Sequence, residues 1–265
     1  MKPNIKKVLT VVLSVIMLMS LTASVCAVEG REYNWYCVHR KDHKQPIADS
    51  MISFIEQYNG YYIDKRHNDD CTDKVIYLTF DAGYENGNVE KILDVMKEEQ
   101  VTGAFFILGN LITSNTELVG RMFDEGHLVC NHTYSHKPIT SKSKDELENE
   151  LGRLETVCYE KTGKKMSKYF RPPEGKFDEA SMKHLCELGY KTVFWSFAYA
   201  DWDNQKQMSS AAAKQKILEN VHNGEVMLLH PTSATNAAVL GDVIRELKSQ
   251  GYRFGTLDEL CCEVR

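Results

Sequence analysis

The sequence predicts an α/β fold, a distorted (β/α)7 barrel with a short N-terminal extension after a signal peptide. Three observations carry that expectation. Seven short apolar runs recur from Val75 onward, stretches with helical spacing and helix caps separate them, and the first 27 residues have the make-up of an export signal. Strands separated by helices favour parallel crossovers and so a closed or nearly closed barrel. Seven units fall one short of the common eight.

At the N-terminus, Lys2, Lys6 and Lys7 precede an apolar stretch over residues 8–21, and small residues follow up to Val25-Cys26-Ala27. This pattern suits cleavage after Ala27. Residues 8–27 could just span a bilayer, so a retained anchor is the alternative, and it is the only membrane contact expected. Without residues 1–27, which hold three lysines and no acid, the 32 basic side chains become 29 against 37 acidic ones, a net charge of −8. Nucleic acid is thereby excluded as a natural partner. The remaining chain is long enough for one α/β domain, expected over residues 75–265, with residues 28–74 as an extension packed on it. Seven cysteines remain, at 37, 71, 130, 158, 186, 261 and 262, without a Cys-x-x-Cys pattern. They read as small buried hydrophobes and not as a structural zinc site.

In the extension, Tyr33-Asn34-Trp35-Tyr36 is followed by a helix expected near residues 47–58 and by Gly60-Tyr61-Tyr62-Ile63. The seven strands are expected at 75–80, 103–108, 127–131, 168–170, 191–197, 225–229 and 252–255. Between them, Ser114-x-x-Glu117 and Ser143-x-x-Glu146 have the capping-box pattern ahead of periodic leucines.

Polar clusters follow several of these strands, where an α/β fold keeps its chemistry. Thr79-Phe80-Asp81-Ala82-Gly83 places one carboxylate at a strand end. His132 and His136, spaced i, i+4, could share a metal from one side of a helical turn; alone, they could equally be two surface histidines. Arg171-Pro172-Pro173-Glu174-Gly175 is a stiff loop whose first free N–H, on Glu174, could serve as an oxyanion donor, or the loop could be a surface turn with a solvated arginine. His230 ends the apolar run before it, as a general acid or as a capping histidine. Asp201-Trp202 follows Phe194-Trp195-Ser196-Phe197, in which Trp195 and Trp202 could be core packing or a sugar-stacking wall.

Together, Thr79-Phe80-Asp81, His132-Thr133-Tyr134-Ser135-His136, Arg171-Pro172-Pro173, Asp201-Trp202 and Leu228-Leu229-His230 resemble one family, the polysaccharide deacetylases, or NodB-homology carbohydrate esterases of family 4. Tyr33-Asn34-Trp35-Tyr36, Gly60-Tyr61-Tyr62-Ile63, Gly83-Tyr84-Glu85-Asn86-Gly87 and Phe194-Trp195-Ser196 resemble the branch that makes muramic δ-lactam in spore cortex peptidoglycan.

The resemblance implies an exported hydrolase of the cell wall or spore envelope of a Gram-positive spore former, acting on a peptidoglycan glycan strand with a divalent metal, Zn²⁺ by expectation. It assigns Asp81 as general base, Arg171 as its orienting partner, His132 and His136 as metal ligands, His230 as general acid and Asp201 as the carboxylate that tunes it. The family's usual third ligand is an aspartate at the position of Ala82, so the metal site is expected to be weak, with water, Glu85, Asn86 or Asn131 in its place and Cys130 facing the core. The substrate implied is N-acetylmuramic acid stripped of its stem peptide. The alternatives are deacetylation of N-acetylglucosamine in peptidoglycan or chitooligosaccharides, and a catalytically silent glycan-binding protein, which Ala82 would suit.

Overall fold

Each of the seven apolar runs forms a strand. In a computed structural model of the chain, residues 30–262 are described, so the expected signal segment lies outside them. In chain order the strands are β1 (Tyr33–Asn34), β2 (Gly60–Tyr61), β3 (Lys74–Ala82), β4 (Ala104–Ile107), β5 (Leu128–Asn131), β6 (Ser167–Phe170), β7 (Lys176–Phe177), β8 (Lys191–Val193), β9 (Glu225–Leu229) and β10 (Tyr252–Phe254). The order β10, β3, β4, β5, β6, β8, β2 is parallel throughout, and β9 pairs in parallel with β3. Among the described residues, the β8–β2 end of the sheet meets β9 only at single bridges, Phe197 with Met227 beyond β8 and Ile63 with Glu225 beyond β2. The curled parallel sheet therefore stops short of full closure, and this seam is the distortion of the barrel.

The run at 191–197 is not one strand, which corrects the sequence expectation. It breaks after Val193, because Ser196 N–H and Phe197 N–H both donate to the carbonyl of Val226, a pairing that regular strand geometry cannot make. A second correction concerns the extension. Gly60–Tyr61, expected outside the barrel strands, pairs with β8 and becomes an eighth strand of the sheet. β1 runs antiparallel to β7, and Trp35 stacks on Phe194 with ring centres 4.4 Å apart. The helix expected near residues 47–58 is a 3-10 helix, Ser50–Tyr58, capped by the Asp49 side chain.

Ser143 and Glu146 form the expected capping box at the start of the helix Lys144–Thr162. Ser114 does not cap: a short helix, Gly109–Ser114, runs through it, and the next one, Thr116–Asp124, starts from Asn115. All seven cysteines of the described residues are free; Cys130, Cys158 and Cys261 are buried as expected, whereas Cys37, Cys71 and Cys186 are half-buried and Cys262 is exposed, which corrects the reading of all seven as buried. Among the described residues no helix is long and apolar enough to cross a membrane.

Period-two alternation sorts the strand residues into two apolar layers. Ile76, Leu78 and Phe80 of β3 pack with Ile92, Leu93, Met96 and Val243 of the surrounding helices. Val75 and Tyr77 pack inward with Ala104, Phe106, Cys130, Tyr169 and Val226. The inward series continues two residues at a time to Asp81 just inside the end of β3, and one residue past the strand ends to His132 after β5, Arg171 after β6 and His230 after β9. One mouth of the barrel thus collects these four side chains.

Candidate active site

Arg171 is the anchor of this mouth. Its side chain is 0% exposed, a cost for a charged group unless its donors are met. Nη1 donates to Asp81 Oδ1 at 2.8 Å, Nη2 to Thr79 Oγ1 at 2.9 Å and to Phe194 O at 3.1 Å, and Nε to Val193 O at 2.8 Å. The solvated-arginine alternative is therefore excluded. Burial works to raise the Asp81 pKa, but Arg171, His132 and His230 together outweigh it and hold the carboxyl below its usual value.

His132 donates from Nδ1 to the Arg171 carbonyl at 2.8 Å, which fixes the tautomer and leaves the Nε2 lone pair 3.6 Å from Asp81 Oδ2. Burial drives its pKa down to about 4, against the pull of Asp81. His136 lies with its ring centre 4.9 Å from that of His132, and desolvation lowers its pKa in the same sense. Both imidazoles are thus neutral at physiological pH, with lone pairs to offer. The pair is not on a helical turn, contrary to the i, i+4 expectation. Thr133 and His136 have φ of 69° and 58°, a left-handed conformation that costs about 1–3 kcal/mol at a non-glycine residue, and the loop folds the second ring back beside the first. Asn131 Oδ1 accepts from Thr133 N–H and Thr133 Oγ1 accepts from His136 N–H, which hold that shape.

On the opposite side, His230 Nδ1 faces Asp201 Oδ1 at 2.7 Å, and the His230 backbone N–H donates to Asp201 Oδ2 at 2.8 Å. Burial would lower the His230 pKa, but the bond and charge of Asp201, with Asp81 beyond, raise it above the ordinary value. Its Nε2 is left for the cavity. Two partners that the sequence reading missed complete this side: Asn236 donates to Asp201 Oδ2 at 2.6 Å and to His230 O at 3.1 Å, and Tyr199 donates to Asn236 Oδ1. Thr79 is likewise a missed support of Arg171. Their signals were a Thr in the strand and an Asn three residues past the N-cap Ser233, patterns too common to single out.

Pro172 and Pro173 shape the third wall. Glu174 and Gly175 are left-handed, with φ of 58° and 66°, and a Cβ at Gly175 would lie 2.9 Å from the Trp195 ring. Gly175 N–H is taken by the Pro172 carbonyl, while Glu174 N–H has no acceptor among the described residues. The aromatic cluster divides: Phe194 and Phe197 are core, Trp195 lines the cavity, and Trp202 stands 60% exposed with its ring centre 6.0 Å from that of His230. All these groups surround one cavity of about 590 Å³, lined by Asp81, His132, His136, Glu174, Trp195, Trp202 and His230.

The family profile described as polysaccharide deacetylase matches residues 68–193. The peptidoglycan-N-acetylmuramic acid deacetylase PdaA of Bacillus subtilis is 40% identical over 238 residues, covering 89% of each chain. The chain belongs to the polysaccharide deacetylases, carbohydrate esterase family 4. The solved structure of Bacillus subtilis PdaA superposes with a TM-score of 0.82 over 87% of this chain and 97% of that one. A family 4 pseudoenzyme of Bacillus anthracis, 27% identical, matches with a TM-score of 0.66 over 72% of this chain and 66% of that one. This deacetylase is thus a hydrolase of amide bonds in fold and family.

Family 4 deacetylases generally depend on a divalent metal, so the donors here must be tested for one. Two neutral imidazoles, one with its tautomer fixed by a backbone carbonyl, fit such an ion. A third protein donor is a different matter. Among the described residues no group of three His, Cys, Asp or Glu is placed to hold a metal. Ala82 offers only a methyl group. Asn131 is spent on Leu151 O, Tyr190 OH and Thr133 N–H, and Asn86 on Thr232 O and Asn88 N–H. Glu85 accepts from the N–H groups of Gly87 and Glu90 and lines a neighbouring cleft. All three substitutes named from the sequence are therefore committed elsewhere. Cys130 faces the inner apolar layer, as expected, and burial raises its thiol well above the usual value.

Proposed function

We propose that this chain is an exported peptidoglycan N-acetylmuramic acid de-N-acetylase whose product leads to muramic δ-lactam in spore cortex. The observation that carries the reading is the placement, in one cavity, of a carboxylate paired with buried Arg171, which helps hold its pKa down, and a histidine paired with Asp201, which raises its pKa. These are the proton acceptor and the proton donor that amide hydrolysis needs. The likeness to PdaA along 89% of both chains supports the muramic substrate.

A divalent ion on His132 and His136, Zn²⁺ being our choice, would supply Lewis-acid polarisation of the acetyl carbonyl and of the attacking water. The chain's own residues do the rest. Asp81 takes a proton from the water as its oxygen bonds to the acetyl carbon, and Arg171 holds the carboxylate oriented for that transfer. The Glu174 N–H donates to the oxygen that becomes negative. His230 gives its Nε2 proton to the sugar nitrogen as the C–N bond breaks, and Asp201 stabilises the imidazolium until then. Acetate and a free amine leave. The amine then lies beside the lactyl carboxylate of the same sugar, and proximity favours a six-membered lactam with loss of water. Trp195 and Trp202 supply a stacking wall for the sugar ring, and residues 1–27 supply export to the cell wall or spore envelope.

The test is digestion of peptide-stripped peptidoglycan by the protein, chelated and then reloaded with Zn²⁺, followed by mass spectrometry. Loss of acetyl, then of water, at muramic acid is the expected result. Free glucosamine instead would move the substrate to N-acetylglucosamine, and glycan binding without product under any metal would make the chain a silent binder.

A further inference from the structure

The loop that carries the two histidines holds an unfavourable backbone shape, and its own hydrogen bonds are not the only ones that keep it there. One turn of the helix Lys144–Thr162 reaches it at three points. The Leu151 carbonyl accepts from Asn131 Nδ2 at 3.1 Å, just before His132. Glu150 accepts from Ser135 N–H at 2.8 Å and from Ser135 Oγ at 2.9 Å. Lys142 Nζ lies 3.7 Å from the same carboxylate. The Arg153 guanidinium lies 3.7 Å over the centre of the Tyr134 ring. The same ring is also met by Gly109, where any Cβ would clash with Tyr134, and Gly109 N–H donates to the Tyr134 carbonyl at 3.2 Å. Tyr134 and Ser135 are the two residues between the left-handed Thr133 and the left-handed His136.

We infer that Glu150 and Arg153 are positioning residues for the His132–His136 pair, clamping the loop so that two imidazoles stay converged without a third protein donor. The physical reason lies at Ala82. A three-ligand site is held together by the ion itself, because each donor restrains the others once the metal is bound. A two-histidine site has less such restraint, so convergence must be built into the chain beforehand. Glu150 and Arg153 do this from a helix that is rigid on its own account, with a full capping box and a left-handed Gly163 at its end. The glycine at 109 belongs to the same device, since only a residue without Cβ lets the Tyr134 ring pack flush against the backbone.

This inference rests on the reading of His132 and His136 as ligands, and its test separates the two. Glu150→Ala and Arg153→Ala are compared with the conservative Glu150→Gln and Arg153→Lys. Each full-length protein is titrated with Zn²⁺ against a chromophoric chelator, and amide hydrogen exchange is followed in the metal-free form. We expect Zn²⁺ affinity to fall about tenfold in each alanine variant, as for other partners that orient metal ligands. Amides 132–136 should exchange faster while those of β3 and β9 stay protected, and the conservative variants should recover most of both effects. Affinity within twofold of the parent, or unchanged exchange in the loop, would overturn the clamp. A parent that binds no Zn²⁺ at all would sink the ligand reading, and the exchange data would still decide whether the helix holds the loop.

Discussion

His132 and His230 occupy opposite walls of one cavity, and their environments drive them in opposite directions. His132 is enclosed, hands its Nδ1–H to a backbone carbonyl and is pushed down to about 4 by burial. His230 is also shielded, but its Nδ1 meets a buried carboxylate that raises its pKa instead. The lesson is that the partner on Nδ1 sets the task of Nε2. A neutral carbonyl leaves Nε2 with a free lone pair; a carboxylate favours the form in which Nε2 keeps its proton.

The largest disturbance of that contrast comes from the group both walls face. Asp81→Asn should lower kcat by a factor on the order of 10²–10⁴ while glycan binding survives, because in the proposed mechanism only the proton acceptor is lost. Turnover close to that of the parent would remove Asp81 from the reaction.

Asp201→Asn attacks one wall alone. The variant should lose roughly 10²-fold in kcat. Its pH profile should also move: the parent keeps His230 protonated above its ordinary value, so activity falls as pH rises through that raised value, and without the carboxylate this fall should begin at lower pH. An alkaline limb that stays in place would show that another group is the acid.

Trp202→Ala tests the rim and not the proton transfers. Loss of an exposed stacking face worth about 1 kcal/mol should raise KM about fivefold at unchanged kcat. A fall in kcat with KM constant would mean that Trp202 positions His230 instead of the sugar.

The smallest effect concerns stability. His222, buried like His132, is also lowered to about 4, chiefly by desolvation. Between the ordinary value of 6.5 and about 4 the unfolded chain binds a proton at such a histidine and the folded one does not, so stability falls as pH falls through that window. The urea midpoint of the metal-free protein should follow, and His222→Gln should flatten part of the slope.

The strands were legible because apolar, β-branched runs bounded by turn residues state their own period. Six of the seven kept their expected course, and the seventh broke at Val193, where a competing bridge to Val226 overrode local pattern. Asp81, His132, Arg171 and His230 were legible because each continues an inward-facing series at a strand end, Asp81 just inside it and the other three just past it. The conformation of the histidine loop was not, because Thr133 and His136 adopt positive φ only under the hold of Asn131 and of residues in a later helix. Thr79, Asn236 and Glu150 stayed hidden for the same reason: each acts on a residue distant in the chain.

By itself the sequence determined the α/β class, the seven strands and the residue types that gather at the mouth, since periodicity and strand ends are local properties of the chain. Tertiary structure alone decided that the barrel leaves a seam between β8 and β9 and that Gly60–Tyr61 joins its sheet. It decided too that, among the described residues, no group of three His, Cys, Asp or Glu side chains is placed to hold a metal, and that burial lowers the pKa of one histidine while a carboxylate raises that of the other. Those outcomes depend on which groups meet across the fold and on how much water is left between them, quantities that no stretch of sequence contains.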